Sequence, residues 1–241
     1  MKIIKVKDYE ELSEKACEFL AEQLADPSVN VVGLATGGTP LGVYKKMVEL
    51  YNNEKISFQH IHTLNLDEYV GLPQWDFNSY HQYMCRHLFN HIDIPFEQTH
   101  IPSGVAANLE EECRQYEKLI RDLGGVDIQL LGIGSNGHIG FNEPGTPFDT
   151  KTHIVDLTPS TREVNARYFD EEGQVPHRAI TMGINTIMQS KKVLLIASGL
   201  SKAKALKQLI QGEEDEQIPA TILQNHHDLT IIADENALNL V

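Results

Sequence analysis

Short apolar, β-branched runs alternate along the whole chain with stretches in which apolar residues recur every three or four positions. The runs Ile3–Val6, Val31–Ala35, His60–Leu66, Ile128–Gly132, Val193–Ala197 and Leu229–Ala233 predict six strands. Between them, Leu41–Asn52, Ser79–Phe89, Leu109–Leu123, Arg162–Phe169 and Lys202–Gln211 read as amphipathic helices. Another helix opens at Asp8-Tyr9-Glu10-Glu11, where the Asp8 oxygen is placed to accept the orphan N–H groups of a first turn. Such alternation over 241 residues predicts an α/β fold: a doubly wound, mostly parallel, Rossmann-like sheet flanked by helices. No repeat, low-complexity tract or linker interrupts it, so residues 1–241 are expected to form one domain.

In an open parallel sheet, ligands bind beyond the carboxyl ends of the strands. Four polar or glycine-rich segments fall at those ends: Thr36-Gly37-Gly38-Thr39-Pro40, Asn65-Leu66-Asp67-Glu68-Tyr69, Gly132 to His138, and Ser198-Gly199-Leu200-Ser201-Lys202. Together they predict a pocket at one edge of the sheet.

Thr36–Pro40 runs straight into a helix. Its glycines let the backbone approach a ligand, and the free N–H groups of the helix start suit a phosphate; the alternative is an ordinary strand–helix turn. No lysine follows the glycines, so this is not a Walker A loop. Lys202 opens a later helix at the same sheet end; alone it reads as a surface lysine, and with the first loop it makes a phosphate clamp. At the end of an apolar strand, Asp67 would be partly desolvated, which raises a carboxyl pKa toward that of a general base. A helix cap is the competing role for Asp67 and fits Glu68 as well as any other.

Gly132–Gly137 spells GxGxxG after a strand, but that dinucleotide fingerprint must open a helix. Here it is followed by His138 to Pro147, with two prolines and two further glycines, so no nicotinamide cofactor is expected. Asn136, His138 and Glu143 lie within eight residues on this irregular segment, and a histidine beside a carboxylate moves protons near neutral pH. No HExxH occurs, and no second His or Cys stands at ligand spacing from His138. His87 and His91 share a helix face with nothing to join them, and His226-His227-Asp228 reads as a turn, so no metal is expected.

Composition narrows the partners. A formal charge of −14, with no dense Lys/Arg run, argues against nucleic acid or an anionic membrane surface. It leaves room for a small phosphorylated ligand. Cys17, Cys85 and Cys113 are odd in number, widely spaced and inside helical segments, as packing residues of a reducing compartment would be. No apolar run reaches the ~20 residues of a membrane helix, and Met1–Val6 is too short and interrupted for a signal peptide. A cytoplasmic protein is expected.

Three segments resemble the glucosamine-6-phosphate deaminase family: Leu34–Pro40, Asn65–Leu72 and Gly134–Pro144. Arg162–Phe169 and Ser198–Lys202 are similar to two weaker signatures. The glycine loop is shared with 6-phosphogluconolactonases of the same superfamily, which lack the Phe141-Asn142-Glu143-Pro144 sequence. The resemblance implies a cofactor-free deaminase of the hydrolase class, acting in amino-sugar catabolism on glucosamine 6-phosphate to give fructose 6-phosphate and ammonia. Asp67 would move a proton from C2 to C1. His138 would assist ring opening, supported by Glu143 and oriented by Asn136. Thr36, Gly37, Gly38, Thr39, Arg167 and Lys202 would hold the phosphate, with Glu68 lining the site. Asn136 stands where some members carry Asp; its amide oxygen can fix a histidine tautomer but cannot offset an imidazolium charge.

Longer hexameric members of that family are activated by N-acetylglucosamine 6-phosphate at a basic interface site. Here Lys151–Val155 is poor in cations and the chain stops at Val241, which implies a monomer or small homo-oligomer without that activation. The competing readings are a 6-phosphogluconolactonase and a sugar-phosphate-sensing module of a transcriptional regulator. The second would need a DNA-binding element that the first 30 residues do not supply.

Overall fold

A computed structural model describes residues 1–167, 169 and 175–241. Strands β2 (Val31–Leu34), β6 (Ile128–Leu131), β9 (Lys192–Ala197) and β10 (Leu229–Asp234) are apolar or small at nearly every position, because both faces of each are covered. In β9 and β10, Leu194, Ile196 and Ile232 pack into one apolar layer, while Val193, Leu195, Ile231 and Ala233 pack into the other. With β1 (Lys2–Val6), β3 (His62–Asn65) and β5 (Thr99–His100) they form a parallel seven-stranded sheet in the order β1-β10-β9-β6-β2-β3-β5.

Helices α1 (Tyr9–Leu24), α2 (Leu41–Asn52) and α3 (Tyr80–His87) contribute to the first layer. On the second lie α4 (Leu109–Asp122), α6 (Ile184–Met188) and α7 (Ala203–Gln211). The expected cap at Asp8 is present: its Oδ1 accepts the Glu11 N–H at 3.0 Å, and Glu11 reaches back to the Lys7 N–H at 2.7 Å. All three cysteines are free and buried inside helices.

Besides the two-residue β5, which the sequence reading did not include, two features depart from it. First, His60–Leu66 is not one strand. β3 ends at Asn65, and the chain continues into β4 (Asp67–Tyr69), which belongs to a second, antiparallel sheet, β4-β8-β7, with β8 at Arg178–Thr181 and β7 at His153–Asp156. These strands have three or four residues each, too few for a period of two to show. Leu66 belongs to both sheets: its N–H donates to the Leu34 carbonyl of the large sheet at 3.1 Å, and its carbonyl accepts the Met182 N–H beyond β8 at 2.6 Å. Second, the helix expected at Arg162–Phe169 is α5, Pro159–Ala166, started by Thr158, whose hydroxyl accepts the Thr161 N–H. Phe169 lies past its end, and Tyr168 lies outside the described residues.

Glu117 on α4 ties the small sheet to the large one. Its Oε1 accepts the N–H and hydroxyl of Thr152, just before β7, at 2.9 and 2.6 Å, and the hydroxyl of Thr186 on α6 at 2.6 Å. Glu117→Ala strands three donors and should cost about 2–3 kcal/mol, read as a fall in Tm of about 5 °C. An unchanged Tm would show that water replaces the carboxylate at no cost.

Candidate active site

The strand order reverses between β2 and β6, where one crossover leads from β2 out to β3 and the other from β6 toward β9. A cleft of about 570 Å³ opens there, at the carboxyl ends of the strands. Its walls take residues from all four expected segments: Thr36–Pro40, Asp67, Gly132 to His138, and Ser198 with Lys202.

The glycine loop leaves its amides without an acceptor among the described residues. Gly37 adopts φ +96°, a conformation that favours glycine. Its carbonyl accepts the Tyr83 hydroxyl at 2.7 Å. The Tyr9 hydroxyl lies 3.1 Å from the carbonyls of both Gly38 and Thr39 and accepts the Gly42 N–H at 2.8 Å. The carbonyls are thus engaged by two tyrosine hydroxyls. No acceptor among the described residues takes the N–H groups of Gly37, Gly38 or Thr39, and α2 starts immediately after them without a side-chain cap. An anion fits such a start. Lys202 stands across the cleft, where burial and the nearby Arg167 charge lower its ammonium pKa. Two cations held close together, one of them half-buried, suit a dianion that would relieve their repulsion.

Asp67 is 5% exposed, on the short segment where the chain passes from one sheet to the other. Burial, with the neighbouring Glu68 charge, pushes its carboxyl up to about 8. Glu68 behaves differently. One oxygen accepts the N–H groups of Tyr69 and Tyr80 at 2.8 and 2.9 Å, and the other accepts that of His81 at 3.0 Å. Burial raises its carboxyl against these three donors. The side chain anchors the start of α3 and is not among the cleft-lining residues, so its expected place in the lining is corrected.

The third constellation lies on the loop 134–143. His138 faces Glu143 with Nδ1 3.7 Å from Oε2, too long for a hydrogen bond but close enough for an ion pair once the ring is protonated. Burial raises the Glu143 carboxyl, but His138, Thr161 and Asn136 together outweigh it and hold the group down at about 2. Asn136 makes no hydrogen bond to the ring, unlike the orienting role that the resemblance implies. Its Oδ1 accepts the backbone N–H of His138 at 3.2 Å, and its Nδ2 donates to Glu143 Oε2 at 3.0 Å. The amide therefore fixes the loop and the carboxylate rather than the tautomer. A carboxylate at position 136 would face Glu143 with like charge. The segment after Gly137 is a turn held to β8, with the Phe141 N–H on Thr181 Oγ1 and Asn142 Nδ2 on the Met182 carbonyl. No helix follows the GxGxxG pattern.

The family model for glucosamine-6-phosphate isomerases and 6-phosphogluconolactonase matches residues 7–232. The chain belongs to this family. A glucosamine-6-phosphate deaminase of Shouchella clausii is 55% identical over 240 residues, covering all of this chain and 97% of the relative. One from Bacillus velezensis is 53% identical over 98% of each chain. A solved monomeric glucosamine-6-phosphate deaminase is 50% identical, with a TM-score of 0.98 and complete coverage of both chains. The 6-phosphogluconolactonase of Trypanosoma cruzi shares the fold, with a TM-score of 0.79 and 22% identity over 99% of this chain and 96% of that one. The deaminase names do not support the hydrolase class expected from sequence.

Within this family frame, the structure brings together Thr36, Gly37, Gly38, Thr39, Asp67, Asn136, His138, Arg167 and Lys202 around one cleft, with Glu143 behind His138 and Glu68 behind Asp67. Among the described residues, no three His, Cys, Asp or Glu side chains converge as a metal site would require. Sequence reasoning missed Tyr9, Tyr80 and Thr161 on the cleft wall, and Tyr83 behind it. Nothing in their helical spacing separates them from packing residues.

Gly134 seats the imidazole. A Cβ there would lie 2.5 Å from His138 Cε1 and Nδ1. Gly134→Ala should therefore turn the ring away from Glu143, read as displaced His138 ring resonances by NMR with an unchanged far-UV CD spectrum. Unmoved resonances would show that the ring does not rest on this glycine.

Proposed function

We propose that the chain is a glucosamine-6-phosphate deaminase, converting its substrate to fructose 6-phosphate and ammonia without a cofactor. One observation carries the reading: a buried, strongly basic carboxylate, a His–Glu pair and an anion cradle share a single cleft, in a chain 55% identical over its full length to a protein of that name. A 6-phosphogluconolactonase is the weaker reading, since that likeness carries the fold alone.

The substrate phosphate binds the amides of Gly37, Gly38 and Thr39, with Thr36, Lys202 and Arg167 completing the cradle. This fixes the sugar by its far end. His138 takes the proton of the anomeric hydroxyl, Glu143 stabilises the imidazolium that forms, and the ring then passes that proton to the ring oxygen to open the pyranose. Asp67 takes the C2 proton of the open-chain aldehyde, giving an enol-type intermediate, and returns it to C1. The new C2 iminium adds water, and the carbinolamine expels ammonia to leave the ketose. The sugar's own carbonyl is the electron sink, so the chemistry asks for no external one. Burial suits Asp67 to this role, because a carboxyl near pH 8 is a far stronger base than an exposed one.

The 50% identical relative is monomeric, and a monomer is the proposed working form here. The His153 ring is engaged by the Lys151 carbonyl at 2.9 Å, which leaves that segment poorly equipped to hold an activating sugar phosphate. Without differential binding an effector shifts nothing. Rate curves in glucosamine 6-phosphate should be hyperbolic and unmoved by N-acetylglucosamine 6-phosphate; sigmoidal curves straightened by that compound would overturn this.

Purified protein should release ammonia and fructose 6-phosphate from glucosamine 6-phosphate in a coupled assay, and EDTA should leave the rate intact. Asp67→Asn should lower kcat by ~10² or more with KM changed far less, whereas Lys202→Ala should act mainly on KM. The base must be ionised to work, so kcat/KM should rise with pH through about 8. Stability runs the other way. The folded pKa of Asp67 lies above its ordinary value of about 4, so the stability tied to its neutral form is complete below that value and lost as pH rises through about 8. Asp67→Asn should match the parent in Tm near pH 4 and exceed it at pH 9. A Tm difference from the parent that is the same at both pH values would show that the Asp67 carboxyl is not perturbed.

A further inference from the structure

Asp67 and the glycine loop sit on different strands, and no hydrogen bond joins them directly. They are joined through α3. Glu68, next in the chain to Asp67, accepts the N–H groups of Tyr80 and His81 at 2.9 and 3.0 Å, and that of Tyr69 at 2.8 Å. Ser79 closes the same helix start by accepting the Gln82 N–H at 3.1 Å. One turn farther along, Tyr83 donates to the Gly37 carbonyl at 2.7 Å. The Tyr80 ring packs on Tyr69 with centroids 4.8 Å apart. A short helix is thus pinned at its start to the residue beside Asp67 and, at its middle, to the glycine loop.

We propose that Glu68 is a positioning residue, which acts through α3 and Tyr83 to fix the Asp67 carboxylate at a set distance from the Gly37 loop. The proposal rests on the reading of the cleft as a sugar-phosphate site. A substrate held by its phosphate presents its C2 hydrogen at one distance only, and a shift of ~1 Å in the base can cost ~10²-fold in rate. The second support of the loop is independent of α3: Tyr9 holds Gly38, Thr39 and Gly42 from α1.

A pair of double-mutant cycles tests this. Glu68→Gln keeps the shape but sets an amide N–H₂ or a single oxygen against three N–H donors, so it releases the helix start. On the intact enzyme it should lower kcat at least tenfold while KM changes less than about threefold. Tyr83→Phe should lower kcat/KM about fivefold, and the double variant should be little worse than Glu68→Gln alone, because both break one strut. Tyr9→Phe combined with Glu68→Gln should instead multiply the two single effects. If Glu68→Gln does not fold, by far-UV CD, Ser79→Ala loosens the same helix start and replaces it in both cycles. Multiplying effects for Glu68 and Tyr83 would overturn the proposal, and so would equal coupling to Tyr83 and Tyr9, which marks general loosening. The same cycles run on the Kd for inorganic phosphate by calorimetry use no sugar. Coupling there in a protein without turnover would sink the substrate reading and leave the strut standing.

Discussion

The site depends on the chain leaving one sheet for another at a single residue. Leu66 gives its N–H to the large parallel sheet and its carbonyl to the small antiparallel one. The residue that follows is thereby placed between two sheets, where neither ladder uses its side chain and water scarcely reaches it. A carboxyl there is desolvated by architecture rather than by a dedicated pocket. The same small sheet, through Thr181 and Met182, holds the loop that carries His138. Asp67 and the loop that carries His138 are therefore registered to each other by one end of one antiparallel pairing, where Asp67 of β4 stands opposite Thr181 of β8.

This arrangement explains what was legible beforehand. The buried parallel strands announce themselves as continuous apolar runs, and the loops at their carboxyl ends announce the cleft. Asp67 stood out because a carboxylate at the end of an apolar strand is unusual, and His138 because a carboxylate lies near it on an irregular loop. Strands β4, β7 and β8 did not stand out, because three or four residues cannot display a period. Glu68 reads like Asp67 in sequence, as the second of two acids, and only the positions of the Tyr80 and His81 amides separate anchor from base. Asn136 was misread for a related reason: spacing shows that it is close to His138, but not whether it meets the ring or the backbone.

On the proposed reading, a chain of net charge −14 receives an anion by local means. The cradle draws on backbone N–H groups whose carbonyls are occupied by two tyrosine hydroxyls, on the start of α2, and on Lys202 beside Arg167. Each of these acts over a few ångströms. At physiological ionic strength charges more than about 8 Å apart on the surface are screened, so the acidic exterior need not defeat the site. The tyrosines matter because a carbonyl turned inward would cancel the amide it belongs to.

The two adjacent acids divide one electrostatic problem. Burying two carboxylates side by side is costly, and only one can be charged cheaply. Three backbone donors, the N–H groups of Tyr69, Tyr80 and His81, limit the rise at Glu68 to about 7, whereas Asp67 is pushed to about 8. The Glu143 carboxylate is treated in the opposite way: Asn136, Thr161 and the facing His138 hold it ionised although it is also buried. A single cleft thus keeps one carboxyl ready to accept a proton and another fixed as a counter-charge. The difference lies in hydrogen-bond donors, since Asp67 is given none among the described residues and the other two acids are given three or more groups each. Which acid can act as a base is therefore written in the donors around it, not in the acid itself.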